Sequence, residues 1–502
     1  MRLLATLAVL VSLVDPAHAT WRKSETRHFT IYTEGTEIAL QKFAFKVERF
    51  DAVLRRRFGI SDEDVPQKLT IFMLPNAGSV AKASGAGTDV AGIYVPNSEG
   101  SIAIVNRTNG NSKYDLDADA VLFHEYAHHF MIRYFPVAYP AWYVEGFAEF
   151  LATTDFTREG NAKRGLPPYY RAYGLLEQEP IPVEKLLTSD INDIPKQQHD
   201  AFYGRSWLLV HFLNFSEVRK GQLNKYLTSV SSGATNSEAA RAAFGDYQQL
   251  DKELNAYLRR PLTYVTESIP TPAPTNIEIS EVSPGAGATM MLFLQLRRGI
   301  ADNEMDGLIT ALDAAARKFP IDPEPLVLLA ETYYLADKDA EAILAADSAL
   351  KINPQLSRAM LFKGRAMLRQ NIKNNVANAE AWSEARKWIV KANRADVNDP
   401  LPLFAYYQSF RQQGKPPSPT ALQGLARCYQ MVPEAIDVRM AYAFSLAREK
   451  KYGPAIRLVE TVAFDPHDSP QAVEARATLT RLKAARDGQT EEQFDLLSEG
   501  AE

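Results

Sequence analysis

One cysteine, Cys428, stands among the 502 residues. A lone thiol excludes an internal disulfide framework, a Cys-based zinc ribbon and a Cys-ligated iron–sulfur centre. Histidine is also scarce, at eight, so any metal chemistry must draw on a few imidazoles and on carboxylates. No charge of one sign dominates: Lys plus Arg number 56 against 61 Asp plus Glu, a net charge of −5, which leaves out a polybasic nucleic-acid binder. An apolar share of 46% argues against a disordered chain. Beyond the first residues no apolar run reaches the roughly 20 residues that a membrane helix needs, so no transmembrane segment is expected in the mature chain.

At roughly 100 to 200 residues per domain the length allows two to four domains. Arg2, an apolar run over residues 3–14 and Ala17-His18-Ala19 before Thr20 form the charged, apolar and small-x-small parts of a signal peptide over 1–19. The expectation is an exported protein, periplasmic or secreted. Cys428 has no partner to pair with and is compatible with an oxidising compartment.

Residues 20–264 read as one mixed unit. Residues 28–33 alternate as a strand does, Leu40, Phe43, Ala44, Val47, Phe50 and Leu54 recur at helical spacing, and 69–74 returns to β. Segments 92–95 and 102–105 flank the turn-rich Pro96-Asn97-Ser98-Glu99-Gly100 and predict a hairpin. Asp115, Asp117 and Asp119 crowd the start of a helix that runs through Met131 and stops by Pro136; Pro140 opens the next, over 141–153. Further helices are expected near 206–215, 221–230 and 251–258. Pro270, Pro272, Pro274 and Pro284 mark 265–287 as a linker.

Over 288–487 an internal repeat sets in. Leu326, Leu329, Ala330, Tyr333, Ala342, Ala346, Ala349 and Pro354 occupy the packing places of a tetratricopeptide (TPR) unit of about 34 residues. Looser units follow around Gly364, Ala426 and Tyr452, and a helix pair over 289–318 supplies another, enough for a solenoid. Residues 488–502 form an acidic tail.

The segment that carries chemistry is His124-Glu125-Tyr126-Ala127-His128. Residues four apart share a helical face, so both imidazoles can reach one metal ion while Glu125 reaches its bound water. Histidine with a carboxylate suits zinc, which in a catalytic site takes three protein ligands. Glu145, with sixteen residues between it and His128, lies in Trp142-Tyr143-Val144-Glu145-Gly146-Phe147-Ala148-Glu149 on the following helix. Two antiparallel helices joined by a short turn can bring Glu145 over the histidine pair, and Glu149, one turn on, can accept the free ring N–H of a ligand histidine. The plain alternative is that both are solvated helix residues; their apolar company of Trp142, Val144, Phe147 and Phe150 argues against it. His129 falls off the ligand face by its phase.

H-E-Y-A-H together with W-Y-V-E-G-F-A-E resembles the gluzincin clan of zinc metallopeptidases, over about residues 21–264, and within it exported bacterial proteins of uncharacterised type. The resemblance implies His124, His128 and Glu145 as ligands of one zinc ion per chain, Glu125 as general base and Glu149 behind the ligands. Tyr203, in Phe202-Tyr203-Gly204-Arg205-Ser206-Trp207 at the head of a helix, resembles the tyrosine of the aminopeptidases' Y-x-K-G segment, which stabilises the oxyanion. Tyr169, Tyr170 and Tyr173 compete for that place, and a packing role is the alternative. The aminopeptidases' Gly-x-Met-Glu-Asn segment is not visible. In this clan an edge strand aligns the peptide; the strand at 102–105 corresponds to it.

The expectation is therefore an α+β zincin-like catalytic domain followed by an all-α TPR-like solenoid. It would hydrolyse peptide bonds of a peptide or protein substrate, and the solenoid would bind a protein partner or substrate. A second reading, from another class, is a non-catalytic zinc-binding periplasmic scaffold; a third has the solenoid only capping the catalytic domain.

Overall fold

The computed structural model describes residues 20–488 except 64, 86–90, 109, 190, 270–276 and 465–469. The expected signal peptide and the acidic tail beyond Gly488 lie outside the described residues.

Strands β1 (Arg22–Glu25), β2 (Phe29–Thr33), β3 (Leu69–Leu74), β4 (Gly92–Val95), β5 (Ile102–Asn106) and a strand from the expected linker, Glu278–Glu281, form a six-stranded sheet. Beginning at β4, its order is β4, β5, β3, β2, β1 and then the linker strand. The β2–β3 and β3–β5 pairs are parallel and the others antiparallel. The 92–95 and 102–105 segments do make the expected hairpin. The strand at 102–105 is, however, not an edge: β5 lies between β4 and β3, and β4 is outermost. Hairpin formation itself moved the edge one strand outward.

β3 is buried on both faces, and each face has its own cover. Leu69, Ile71 and Met73 join a core with Val47, Phe50 and Leu54 of α1 (Glu37–Phe58) and Leu122, Phe123 and Phe130 of the helix carrying the histidine motif. Phe72 and Leu74 instead meet Val80 of α2 (Ala77–Ser84), together with Trp21, Met290 and Leu294. The motif helix is α3 (Ala118–Tyr134), capped by the Asp117 side chain on the Asp119 N–H, and the next is α4 (Ala141–Ala152). A small sheet combines β6 (Asp155–Phe156), β7 (Ala162–Arg164) and a strand at Val265–Glu267. Helices α5 (Ala172–Leu176), α6 (Val183–Thr188), α7 (His199–Phe215), α8 (Gln222–Ser231), α9 (Asn236–Phe244) and α10 (Tyr247–Leu258) complete the unit. α7 begins seven residues before the expected 206, so Tyr203 sits inside it rather than at its head.

Within the segment expected as a linker, 265–287, the described residues include two short strands: β8 (Val265–Glu267) pairs with β7, and β9 (Glu278–Glu281) adds to β1. Neither strand contains a proline, and each lies at the edge of its sheet. Next come α11 (Pro284–Arg298), α12 (Asp302–Lys318), α13 (Glu324–Leu335), α14 (Asp339–Ile352), α15 (Ser357–Lys373), α16 (Ala379–Ala395), α17 (Leu401–Gln412), α18 (Pro419–Met431), α19 (Ile436–Arg448), α20 (Tyr452–Ala463) and α21 (Pro470–Arg486). Neighbouring helices pack in sequence along this all-α array. In α13 and α14 the predicted Leu329, Ala330, Ala342, Ala346 and Ala349 are buried, the small residues letting the two axes approach. Cys428 is fully buried in α18 among Phe404, Leu425 and Val438, and burial pushes its thiol pKa up. Among the described residues no helix is long and apolar enough to cross a membrane.

The array is fused to the first unit rather than tethered to it. Met290 and Leu294 of α11 cover one face of the sheet. Glu99, in the β4–β5 turn, accepts from Arg297 (3.0 Å) and Arg358 (2.8 Å), which also hold the buried Glu331.

Candidate metal centre

α3 buries Leu122, Phe123, Tyr126, Ala127 and Phe130, and His124 and His128, one turn apart, share one of its faces. The Nε2 atoms of His124 and His128 stand 3.0 Å apart. Glu145 Oε2, from α4, lies 3.3 Å from His124 Nε2 and 3.6 Å from His128 Nε2. The donor atoms of a tetrahedral zinc ion, bound at roughly 2.0–2.1 Å, stand about 3.3 Å from one another. Two imidazoles and a carboxylate at 3.0 to 3.6 Å thus fit zinc in both chemistry and spacing.

The turn between α3 and α4 is what lets sixteen intervening residues close that triangle. α3 ends at Tyr134, Pro140 caps α4, and α4 lies back across α3. Gly146 is needed for the next contact: a Cβ there would stand 2.5 Å from the Ser206 carbonyl oxygen of α7. The glycine beside the carboxylate thereby lets α7 bring Tyr203 to the site, where its ring centroid is 6.2 Å from that of His124. On the opposite side Gly92 of β4 has the same role, since a Cβ would stand 2.3 Å from Val121 Cγ1 and 3.3 Å from Glu125 Cγ.

Glu149, one turn past Glu145, is 1% exposed. Its Oε1 lies 3.4 Å from His124 Nδ1 and accepts from Arg171 Nη2 at 2.6 Å, while Oε2 accepts from the Tyr170 hydroxyl at 2.9 Å. With Nδ1 facing a carboxylate, the Nε2 lone pair of a neutral His124 is turned toward Glu145 and His128. Burial disfavours charge on His124, yet Glu145 and Glu149 raise its pKa to about 10. Burial likewise opposes ionisation of Glu149, but Arg171 and His124 outweigh it and bring its pKa to about 2. Glu145 stands well below the usual range, burial being overcome by His128 and His124. The pocket thus holds charged carboxylates against imidazoles that attract a cation, whether proton or metal.

Of the four tyrosines considered for the oxyanion, Tyr203 is the one on the cavity wall beside Glu125 and the histidines. The Glu145 charge, and then burial, raise its pKa, so the phenol keeps its proton. Tyr170 is engaged with Glu149, and Tyr169 and Tyr173 are exposed. His129 points away from the ligands, buried, with Nδ1 3.1 Å from the Tyr94 hydroxyl; burial, then Arg133 and Arg55, hold it neutral.

Two supports were not read from the sequence. Arg171 lies in a short irregular helical turn with no periodicity to mark it; the signal for it was the need of a buried Glu149 for a cation. The second is a buried network behind α3: His28 Nδ1 is 2.8 Å from Glu48 Oε2 and 3.2 Å from Asp51 Oδ2, Arg55 Nε donates to Asp51 at 2.6 Å, and the hydroxyl of Tyr126 also donates to Asp51. His28, Glu48 and Asp51 lie as close as metal ligands would. Arg55 and Tyr126 already satisfy Asp51, so the cluster is an ion-pair network that pins the back of the motif helix.

Neither a family model nor a curated protein matches the chain. Solved structures it is similar to include a thermophilic TPR protein, TTC0263, of Thermus thermophilus, at 15% identity and a TM-score of 0.30, covering 36% of this chain and 91% of that one. MamA is similar at 18% identity and 0.24, covering 36% and 92%, and yeast Tom70 at 11% and 0.27, covering 64% and 69%. The helical-repeat architecture rests on the chain's own succession of packed helices rather than on these scores.

Proposed function

We propose that the protein is an exported zinc-dependent peptidase with one zinc ion, held by His124, His128 and Glu145. The observation that carries the reading is the triangle of donor atoms at 3.0 to 3.6 Å, with Glu125 on the same cavity wall. A structural zinc site has no need of that extra carboxylate. When bound, zinc supplies a Lewis acid that polarises a carbonyl and lowers the pKa of water. Glu125 takes a proton from the attacking water at its carboxylate and hands it to the nitrogen of the leaving amine. The protonated Tyr203 hydroxyl donates to the carbonyl oxygen as negative charge builds there. Glu149, itself fixed by Arg171 and Tyr170, orients His124. The outermost strand β4, passing over α3 at Gly92, offers main-chain groups to an extended peptide.

Metal analysis of the purified protein is expected to find one zinc per chain. Glu125→Gln is expected to keep the metal and lose peptide cleavage by about 10²-fold or more; full activity in that variant overturns the reading. A second reading, a non-catalytic zinc-binding scaffold, draws on the helix array, since stacked helix pairs commonly present binding surfaces. Zinc retained by a wild-type protein that cleaves no member of a diverse peptide mixture selects it.

A further inference from the structure

The cavity that contains the metal-ligand set has a volume of 510 Å³ and is walled on two sides by different parts of the chain. One wall is α3 and α4 with the turn between them, including Met131, Phe135 and Val144; the other is the helical array, with Ile436, Val462 and Phe464. The two walls are locked together by buried polar groups. Arg133, five residues past His128 on α3 and so about 7.5 Å farther along the axis, donates to Glu434 at 3.2 Å and to the Met431 carbonyl at 3.0 Å. Glu434 also accepts from Ser101 at 2.9 Å, Ser101 from the Tyr94 hydroxyl at 3.1 Å, and Tyr94 meets His129 at 3.1 Å. A continuous polar chain therefore runs from α3 through the β4–β5 hairpin into the array. Among the described residues, both charged residues of the array wall are engaged: Glu434 as described, and Arg439 on the Pro433 carbonyl and the Thr461 hydroxyl. Among the described residues, what the array presents to the cavity is mainly apolar, and Phe464 is 51% exposed.

We infer that the helical array supplies the specificity wall of the cleft, Ile436 and Phe464 receiving a large apolar side chain of the peptide next to the bond that is cleaved. This rests on the peptidase reading for the site's chemistry, while the location of the wall does not. A peptide is the occupant because the apolar surface is continuous with the ligand set in one cavity, and a charged side chain would lose its hydration there with no uncommitted partner among the described array residues lining it. The array thus selects the substrate directly, at the metal, rather than by recruiting a partner elsewhere.

The test uses the full-length, zinc-loaded protein and a peptide series that differs at one position, Ala, Leu, Phe, Asp or Lys, in two readouts. In the first, kcat/KM for the Leu and Phe peptides is expected to exceed that for Ala and Asp by about tenfold or more, and Ile436→Ala/Phe464→Ala to shrink the ratio to about threefold or less. In the second, calorimetry measures the affinity of Glu125→Gln protein for the same peptides, with and without the double substitution, and is expected to show the same loss of preference. Cleavage with a preference that the double substitution leaves intact in both readouts overturns the inference and leaves the peptidase reading standing. Apolar preference in binding, removed by the double substitution, with no cleavage by the wild type upholds the wall and overturns the peptidase reading. Neither binding nor cleavage of any peptide overturns both.

Discussion

At the scale of single residues, the proposed centre rests on what stands behind His124, His128 and Glu145 as much as on those three residues. Glu149 meets His124, Arg171 and Tyr170 at once. Glu149→Gln keeps the shape but removes the negative charge that faces His124 Nδ1 and the partly buried Arg171 guanidinium. Its zinc affinity is expected to fall about 10- to 100-fold, measured by competition with a chelator; unchanged affinity would separate Glu149 from the site. Tyr203→Phe deletes one hydroxyl and no ligand, so zinc content should persist while kcat drops about 10²- to 10³-fold, the cost of removing one oxyanion donor. A change in KM alone would return Tyr203 to a packing role. The motif residues His124, Glu125 and His128 were legible because four-residue spacing on a helix fixes which side chains share a face. Arg171 was not, since a contact between α4 and an irregular turn 22 residues on leaves no local signature.

At the scale of elements, helix approach decides where Glu145 and Tyr203 stand. α4 and α7 touch at Gly146, where the space for a Cβ is filled by the backbone carbonyl of Ser206. Backbone cannot swing aside as a flexible side chain can, so Gly146→Ala must part the helices. The expected cost is about 1–3 kcal/mol in thermal or denaturant unfolding, together with weakened zinc binding as Glu145 shifts. Wild-type stability and zinc affinity in this variant would refute the account. The hairpin of β4 and β5 shows the converse limit: the sequence predicted both strands and their turn, yet which of them is the edge follows from β5 pairing in parallel with β3, a contact about thirty residues away in the chain.

At the scale of the whole molecule, the two units are held by a buried clasp. Glu331 accepts from Arg297 at 2.6 Å and 2.9 Å and from Arg358 at 2.8 Å, and the same arginines reach Glu99 of the β4–β5 turn. Burial alone would raise the pKa of Glu331; the two guanidiniums outweigh it and hold the group well below its ordinary 4.5. A depressed folded-state pKa means that this stabilisation is present above about pH 4.5 and is lost as pH falls from there through the folded-state value. The melting temperature of the wild type should therefore drop more steeply below about pH 4.5 than that of Glu331→Gln, which cannot titrate at this position. Parallel curves would show that the clasp does not report on acid stability.

The sequence by itself determined the local and periodic features: the helical phase that pairs His124 with His128, the carboxylates one turn apart on the next helix, the strand alternation, and the small-residue repeat of the array. Each is set by contacts within a few residues, where 3.6- and 2-residue periods leave a readable pattern. Only the tertiary structure decided how far apart the three donor atoms stand, that Arg171 fixes Glu149, that residues 265–267 and 278–281 join the sheets, and that the array lines the cavity at His124 and His128. Those outcomes depend on pairs distant in the chain, Arg133 with Glu434 and Gly146 with Ser206 among them, whose meeting is fixed by the packing of whole elements and leaves no period in the sequence.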